Sequence, residues 1–220
     1  EEVFDVEVTR RQIDVKTVNY RMMDDNIGYI QIEEFDEVTS DQFSQALDSL
    51  IEQGMEALVI DIRNNPGGIL DTVVAMLDEL LPEGTIVSVK DRNGTAQEYT
   101  SDADTKLTVP LTVLINGNSA SASEIVAGAI KDYGVGTLVG TTTYGKGIVQ
   151  TAFSLSDGTG VKITIEDYYL PSGKSIHKVG VDPDVEIDLP DELKTYVTIP
   201  EDEDVQLQKA IEILKEQLQK

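Results

Sequence analysis

Apolar residues recur along the chain at two spacings, every second residue and every third or fourth residue. The first spacing predicts β-strands, and so does a short run in which every residue is apolar. The second spacing predicts amphipathic helices with one buried face. Strands are expected at residues 27–35, 56–63, 85–90, 96–100, 107–116, 137–140, 148–155 and 160–170. Helices are expected to bury four stripes: Phe43, Ala46, Leu47, Leu50 and Ile51; Val73, Val74, Leu77, Leu80 and Leu81; Ile125, Val126, Ala129 and Ile130; and Leu207, Ala210, Ile211, Leu214 and Leu218. The alternation predicts an α/β layered core with a mixed sheet.

The two ends of the chain differ from this alternating middle. Residues 3–8 and 13–15 show short apolar alternations, so residues 1–18 are expected to be exposed strands or a linker. Residues 19–200 are expected to form the core, and residues 201–220 a C-terminal amphipathic helix. The apolar face of that helix could pack on its own core or on a second copy of the chain, so a homodimer through the terminal segments is a possible assembly.

Composition narrows the classes of partner. The 220 residues include 41 acidic and 17 basic side chains, for a net charge of −24, which argues against nucleic acid and anionic membrane surfaces. The sequence contains no cysteine, which excludes disulfides, thiolate nucleophiles and cysteine-bound zinc. No apolar run approaches the roughly 18 residues of a membrane span.

The sequence SASASEIVAGAIKD, residues 119–132, places three serines on alternate positions ahead of an amphipathic helix. Ser121 and Glu124 have the spacing of a capping box, which explains one serine by structure alone. A serine at the start of a helix is also a candidate nucleophile, and the residues by themselves leave both roles open. Ser119 and Ser123 are expected to be structural.

Three loops follow directly after apolar strands, where α/β sheets tend to carry sites. Consecutive glycines at Gly67 and Gly68 fit a tight turn, and they also free backbone N–H groups to face an oxyanion. Lys146 lies between two glycines. It is either a solvated surface charge or, if it is desolvated under the sheet edge, a general base, because burial disfavours the ammonium form. The three loops are RNNPGG, NGNSASASE and TTYGKGIVQ.

The one histidine and the aspartates offer a competing arrangement. His177 follows a Pro-Ser-Gly turn and is expected in an exposed loop, so a serine–histidine pair is the less favoured hypothesis. Asp182 and Asp184 flank a proline and are expected to form a turn. Asp61 follows an apolar strand and is expected to be buried and hydrogen bonded, without an assigned catalytic role.

The successive segments of the chain resemble the carboxyl-terminal processing, or tail-specific, serine protease family. The resemblance covers nearly the whole chain and rests on motifs in the family's usual order: IGYIQIEEF, LVIDIRNNPGG, VLINGNSASASEIVAGAIKDYG, VGTTTYGKGIVQ, YYLPSGKSI and GVDPDV. It implies a spiral core of the ClpP/crotonase type, with a mixed sheet and flanking helices. It also implies a PDZ domain ahead of this core, and VTRRQIDVKTVNYRM resembles the segment that leaves that domain. The expectation is a protease core without its PDZ domain.

The resemblance also assigns roles to individual residues. It implies Ser121 as nucleophile, Lys146 as general base and Gln150 as a supporting amide. The backbone N–H groups of Gly67 and Ala122 would form the oxyanion hole. No metal and no cofactor are implied.

The implied activity is that of an ATP-independent serine endopeptidase with a Ser-Lys dyad. Its substrates would be proteins or peptides with accessible C-terminal tails, cut near their C-termini, and its location extracytoplasmic, in the periplasm or cell envelope. Two other functions remain open: a catalytically inactive module of the same fold that binds peptides or apolar ligands, and a crotonase-type acyl-CoA enzyme, which usually has a carboxylate base and gives Lys146 no role.

Overall fold

The computed structural model describes residues 4, 6–7, 9–10, 15–102, 104–105, 107–194 and 199–219. Ten strands are present in this part of the chain: β1 Val18–Met22, β2 Ile27–Ile32, β3 Ala57–Asp61, β4 Gly84–Asp91, β5 Ala96–Ser101, β6 Leu111–Ile115, β7 Thr137–Gly140, β8 Ile148–Ser154, β9 Gly160–Tyr169 and β10 Val185–Glu186. The four α-helices are α1 Thr39–Glu52, α2 Leu70–Asp78, α3 Ala122–Tyr133 and α4 Val205–Leu218. The predicted α/β class with a mixed sheet and flanking helices is confirmed.

Six strands form the central sheet in the order β1-β2-β3-β6-β7-β10. β1 runs antiparallel to β2, and the other neighbours are parallel. Every residue of β3 and β6 is buried, because helices cover both faces of the sheet. Leu58 and Ile60 pack in the cluster that also contains α1, α2 and α3, whereas Val59 packs with α4 on the other face.

The C-terminal helix covers the second face of the central sheet. Asp204 caps α4 by accepting the N–H of Leu207 at 3.0 Å. Leu207, Ala210 and Leu214 are buried against strands of the sheet. The apolar face that suggested a dimer therefore packs on its own core. In the described part of the chain, helix length and apolarity nowhere reach what a membrane span requires.

Four antiparallel strands form a second sheet in the order β5-β4-β9-β8. β4 pairs with β9 only at residues 166–169, so farther out β9 has only β8 beside it. We call residues 150–165 the arm. Its apolar residues Phe153, Val161 and Ile163 are exposed, since nothing in the described residues covers that face.

Several predicted details are wrong. Ile51 and Leu218 are exposed although the rest of their stripes is buried or partly buried. Helix α2 ends at Asp78, before the buried Leu80 and Leu81. Residues 107–110 lie outside β6, and the short pairings of β1 and β10 were not predicted. The predicted strand at residues 3–8 and the alternation at 13–15 fall largely outside the described residues.

Thr39 and Gln42 at the start of α1 have the spacing of a capping box, but the capping box does not form. The Thr39 hydroxyl accepts the N–H of Asp36 at 2.9 Å, before the helix. The Gln42 side chain instead accepts the N–H groups of Thr17 and Val18, at 2.9 and 3.1 Å. This amide therefore fastens the entry of β1 to α1, a long-range contact that local spacing does not reveal.

Candidate active site

The three glycine- and serine-rich loops meet at one edge of the central sheet. β3, β6 and β7 are parallel neighbours, so the loops that follow them leave from the same edge. The first loop carries Gly67, the second carries Ser121 and the third carries Lys146. Residues far apart in the sequence are thereby brought together.

Ser121 has an unusual backbone conformation at the start of α3. Its φ is 57° and its ψ is −114°, a combination that costs energy for a residue with a side chain. The residue is almost fully buried, and it is the N-cap of the helix. Strain of this kind clusters at functional sites, which favours a role for Ser121 beyond capping.

The carboxylate of Glu124 joins the serine loop to the lysine loop. One oxygen accepts the backbone N–H of Ser121 at 2.8 Å and that of Lys146 at 2.7 Å. The other accepts the Thr143 hydroxyl at 2.6 Å and the Gly145 N–H at 2.7 Å. Glu124 is fully buried, so these four hydrogen bonds compensate its charge.

Close backbone packing supports the lysine loop from its other side. The N–H of Lys178 donates to the carbonyl of Gly145 at 2.8 Å. A Cβ atom at Gly147 would lie 2.6 Å from the backbone nitrogen of His177, so only glycine fits there. The glycines on both sides of Lys146 therefore permit close contacts that fix the loop.

Gln150 is exposed on β8, in the strand that begins directly after the lysine loop. Its amide group donates to the Thr164 hydroxyl at 3.4 Å, across the β8–β9 pair. The structure thus places Gln150 on the same segment as Lys146, and its hydrogen bond is made with Thr164 rather than with the lysine.

Gly67 lies directly beside the serine. A Cβ atom at Gly67 would approach to 2.8 Å from Cβ of Ser121 and 2.9 Å from the nitrogen of Ala122. Ala122 is the first residue of α3, so its N–H has no acceptor within the helix. The Gly67 N–H, in contrast, donates to Oδ1 of Asn65 at 2.9 Å. Of the two amides expected in the oxyanion hole, one is already engaged by the chain.

The two flanking serines have structural roles, as predicted. The Ser119 hydroxyl donates to the carbonyl of Ile62 at 2.8 Å, and the Ser123 hydroxyl donates to that of Asn65 at 2.9 Å. Both residues are fully buried. They tie the serine loop to the neighbouring loop after β3.

His177 is partly buried rather than exposed, contrary to the sequence expectation. It packs against Gly147, and its Nδ1 is buried without a hydrogen-bond partner among the described residues. Asp182 and Asp184 do more than form a turn: Asp182 accepts the Thr142 hydroxyl at 2.8 Å, and Asp184 accepts the N–H of Leu138 at 2.9 Å.

Arg63 joins the loop after β3 to the start of α4. Its guanidinium forms ion pairs with Asp61 at 2.6 Å and with Asp204 at 2.7 Å, and all three side chains are at most 10% exposed. Burial opposes its charge, but the two carboxylates outweigh that effect and raise the pKa of Arg63. Burial and the Asp61 carboxylate, which accepts the Tyr29 hydroxyl at 2.8 Å, raise the pKa of Tyr29. The expected burial of Asp61 is confirmed.

Glu124, Asn65 and Arg63 are the site residues that sequence reasoning missed. The sequence pattern identifies Glu124 only as half of a capping box. An acidic residue at the start of a largely apolar helix, however, also indicates a buried hydrogen-bond acceptor. Asn65 precedes Pro-Gly, a sequence in which asparagine often accepts the N–H two residues later. No local signal pairs Arg63 with Asp204, because the contact spans the chain.

This arrangement is suited to nucleophilic chemistry. A strained serine at a helix start, a lysine on an adjoining loop and backbone N–H groups nearby are the components of acyl transfer through a serine. Within the described residues, no three His, Asp or Glu side chains are grouped so as to hold a metal ion.

Known proteins match both the sequence and the fold. Residues 26–187 match the model of peptidase family S41. The carboxyl-terminal-processing protease of Synechocystis sp. is 38% identical over 211 residues, which cover 94% of this chain and 49% of that protein. The carboxy-terminal processing protease CtpA of Bacillus subtilis is 39% identical over 191 residues, covering 86% of this chain and 41% of that protein.

A solved structure supports the same assignment. The photosystem II D1 C-terminal processing protease superposes with a TM-score of 0.73 at 36% identity, over 84% of this chain and 53% of that one. The chain spans about half the length of the curated relatives it matches. The two relatives each cover more than four fifths of this chain at above 30% identity, and the family model matches most of it. The chain therefore belongs to peptidase family S41.

Proposed function

We propose that this chain is the catalytic core of an ATP-independent serine endopeptidase that cuts protein substrates near their C-termini. The names of its relatives support the processing of carboxyl termini. We propose an extracytoplasmic location, in the periplasm or cell envelope, from the family resemblance alone. The partners would be proteins with accessible C-terminal tails.

In this proposal Ser121 attacks the scissile carbonyl, and neutral Lys146 accepts the proton of its hydroxyl. Gln150 would support the lysine once its side chain leaves Thr164, with which it now pairs. The observation that carries the proposal is the shared Glu124 oxygen, which holds the backbone N–H groups of Ser121 and Lys146 on one atom. Such a contact brings the backbones of the two residues close together, which supports a joint role for them in catalysis.

Cleavage of a folded test protein with an unstructured C-terminal tail would test this function. We expect mass spectrometry to find shortened products without added ATP, and no products from Ser121→Ala. The control variant Ser154→Ala, which alters an exposed serine on β8, should cut normally. An intact test protein, or equal cleavage by Ser121→Ala, would contradict the proposal.

A further inference from the structure

The second oxyanion amide is occupied by a side chain of the same loop. The Gly67 N–H donates to Oδ1 of Asn65 at 2.9 Å, and Asn65 is fully buried. A buried N–H with a good acceptor is not available to a ligand unless that acceptor is displaced. The amide next to Ser121 is therefore closed in this structure.

The orientation of the Asn65 side chain is fixed at both ends. Its Nδ2 donates to the carbonyl of Ile32 at 2.9 Å, while its Oδ1 accepts from Gly67. Turning the carboxamide over would place a donor against a donor and an acceptor against an acceptor. The backbone carbonyl of Asn65 also accepts the N–H of Ala120 and the hydroxyl of Ser123, so the residue is held to the serine loop.

The backbone around the amide can still move. Gly67 has a φ of 103°, a region that glycine enters and leaves without the steric cost that other residues meet. Its carbonyl is held separately, by the N–H of Phe35 at 3.0 Å. Rotation of the peptide between Pro66 and Gly67 could therefore redirect the N–H without breaking that second contact.

We propose that Asn65 is a positioning residue that occupies the Gly67 N–H in the resting protein and yields it only to the oxyanion. This inference rests on the proposed serine chemistry. When the Ser121 oxygen bonds to the carbonyl carbon, its proton passes to Lys146 and the carbonyl electron pair becomes an oxyanion. Gly67 then donates to that oxyanion instead of to Asn65.

The exchange favours the transition state over the bound substrate. A neutral substrate carbonyl is no better an acceptor than the neutral Asn65 carboxamide. Replacing Asn65 by the substrate carbonyl as the acceptor of the Gly67 N–H therefore gains little binding energy. An oxyanion forms a charge-assisted hydrogen bond that is roughly twice as strong. Asn65 thus withholds one donor from the ground state, which raises selectivity for the reacting species.

Nuclear magnetic resonance can observe this amide alone. Pro66-Gly67 is the one Pro-Gly pair in the sequence, so labelling with carbonyl-¹³C proline and ¹⁵N glycine gives a single correlated N–H signal. We expect the signal to keep its position with a bound peptide that ends in a neutral C-terminal amide, and to move downfield when a peptide boronate, a mimic of the tetrahedral intermediate, bonds to Ser121. An adduct on Ser121 with an unmoved Gly67 signal would overturn the role of Asn65. Absence of any adduct by mass spectrometry would overturn the proposed function, and this inference with it.

A pair of variants separates positioning from a merely structural role. Asn65→Asp keeps an acceptor for Gly67 but adds a charge that holds the N–H and repels the oxyanion. We expect the ratio of boronate affinity to the affinity for a peptide with a neutral C-terminal amide to fall about tenfold or more, by analogy with the loss of one oxyanion donor. Asn64→Asp is the matched control, since its Oδ1 still accepts from Asn116 and Asn118 and it does not contact Gly67. Equal losses of both affinities in Asn65→Asp would overturn the inference.

Discussion

The two sheets hold the two halves of the candidate site in different ways. The central sheet carries Ser121 and the loop with Gly67 at the ends of buried parallel strands, and helices cover both faces of that sheet. The lysine loop leaves the central sheet after β7 and leads into β8, an edge strand of the second sheet that continues into the exposed arm. The position of the proposed nucleophile thus follows from the core, whereas that of the proposed base depends on a few contacts to Glu124 and to the loop at residues 177–178.

Loss of either half of the proposed dyad has the largest expected effect. Ser121→Ala and Lys146→Ala should each lower kcat/KM by on the order of 10⁴-fold or more, and the double variant should be little worse, because residues that act as a unit are not additive. Steady-state kinetics on a peptide substrate measures this, with Lys162→Ala, an exposed lysine on the arm, as control. A folded Lys146→Ala enzyme with substantial activity would remove lysine as the base.

The buried arginine in the loop after β3 is the next test. Arg63→Met leaves the Asp61 and Asp204 carboxylates buried without their partner, so we expect the free energy of unfolding to fall by about 3–5 kcal/mol. Arg21→Met removes an exposed ion pair with Glu201 and should cost no more than about 1 kcal/mol. Urea unfolding of both variants decides the matter, and equal costs would show that burial does not distinguish the two pairs.

Glu124→Gln tests the link between the two halves. The substituted amide keeps one acceptor oxygen but presents its NH₂ group to N–H donors, so the lysine loop loses part of its attachment. We expect kcat/KM to fall about a hundredfold, and hydrogen exchange to speed up at residues 143–147, because losing one or two buried charge-assisted hydrogen bonds costs about 1.5–3 kcal/mol each. The exposed Glu98→Gln is the control. Unchanged exchange in the loop would show that Glu124 does not hold it.

The arm should contribute least to stability. Ile163→Thr replaces an exposed side chain, and we expect the free energy of unfolding to change by less than about 0.5 kcal/mol. Ile60→Thr, at a fully buried position of β3, should cost about 2–5 kcal/mol, since it removes packed atoms and buries a hydroxyl. Thermal unfolding measures both, and a large cost for Ile163→Thr would mean that the arm is packed after all.

Local patterns predicted the parts of this molecule that depend on local chemistry. The largely apolar strand at residues 57–61 and the serine-capped α3 follow from periodicity and capping, and both are confirmed. The pairings of β1 and β10 were missed because a two- to five-residue strand is specified mainly by its neighbour. Within the site, the roles of Glu124 and Asn65 could not be predicted from the sequence, because their hydrogen-bond partners lie in loops that only the folded sheet brings together.

Labelling with a fluorophosphonate tests the central claim, that Ser121 is a nucleophile activated by Lys146, most directly. We predict one adduct per chain, mapped by mass spectrometry to Ser121 and not to Ser119 or Ser123, and forming far more slowly in Lys146→Ala. An adduct on another residue, or an unchanged labelling rate without the lysine, would contradict the account.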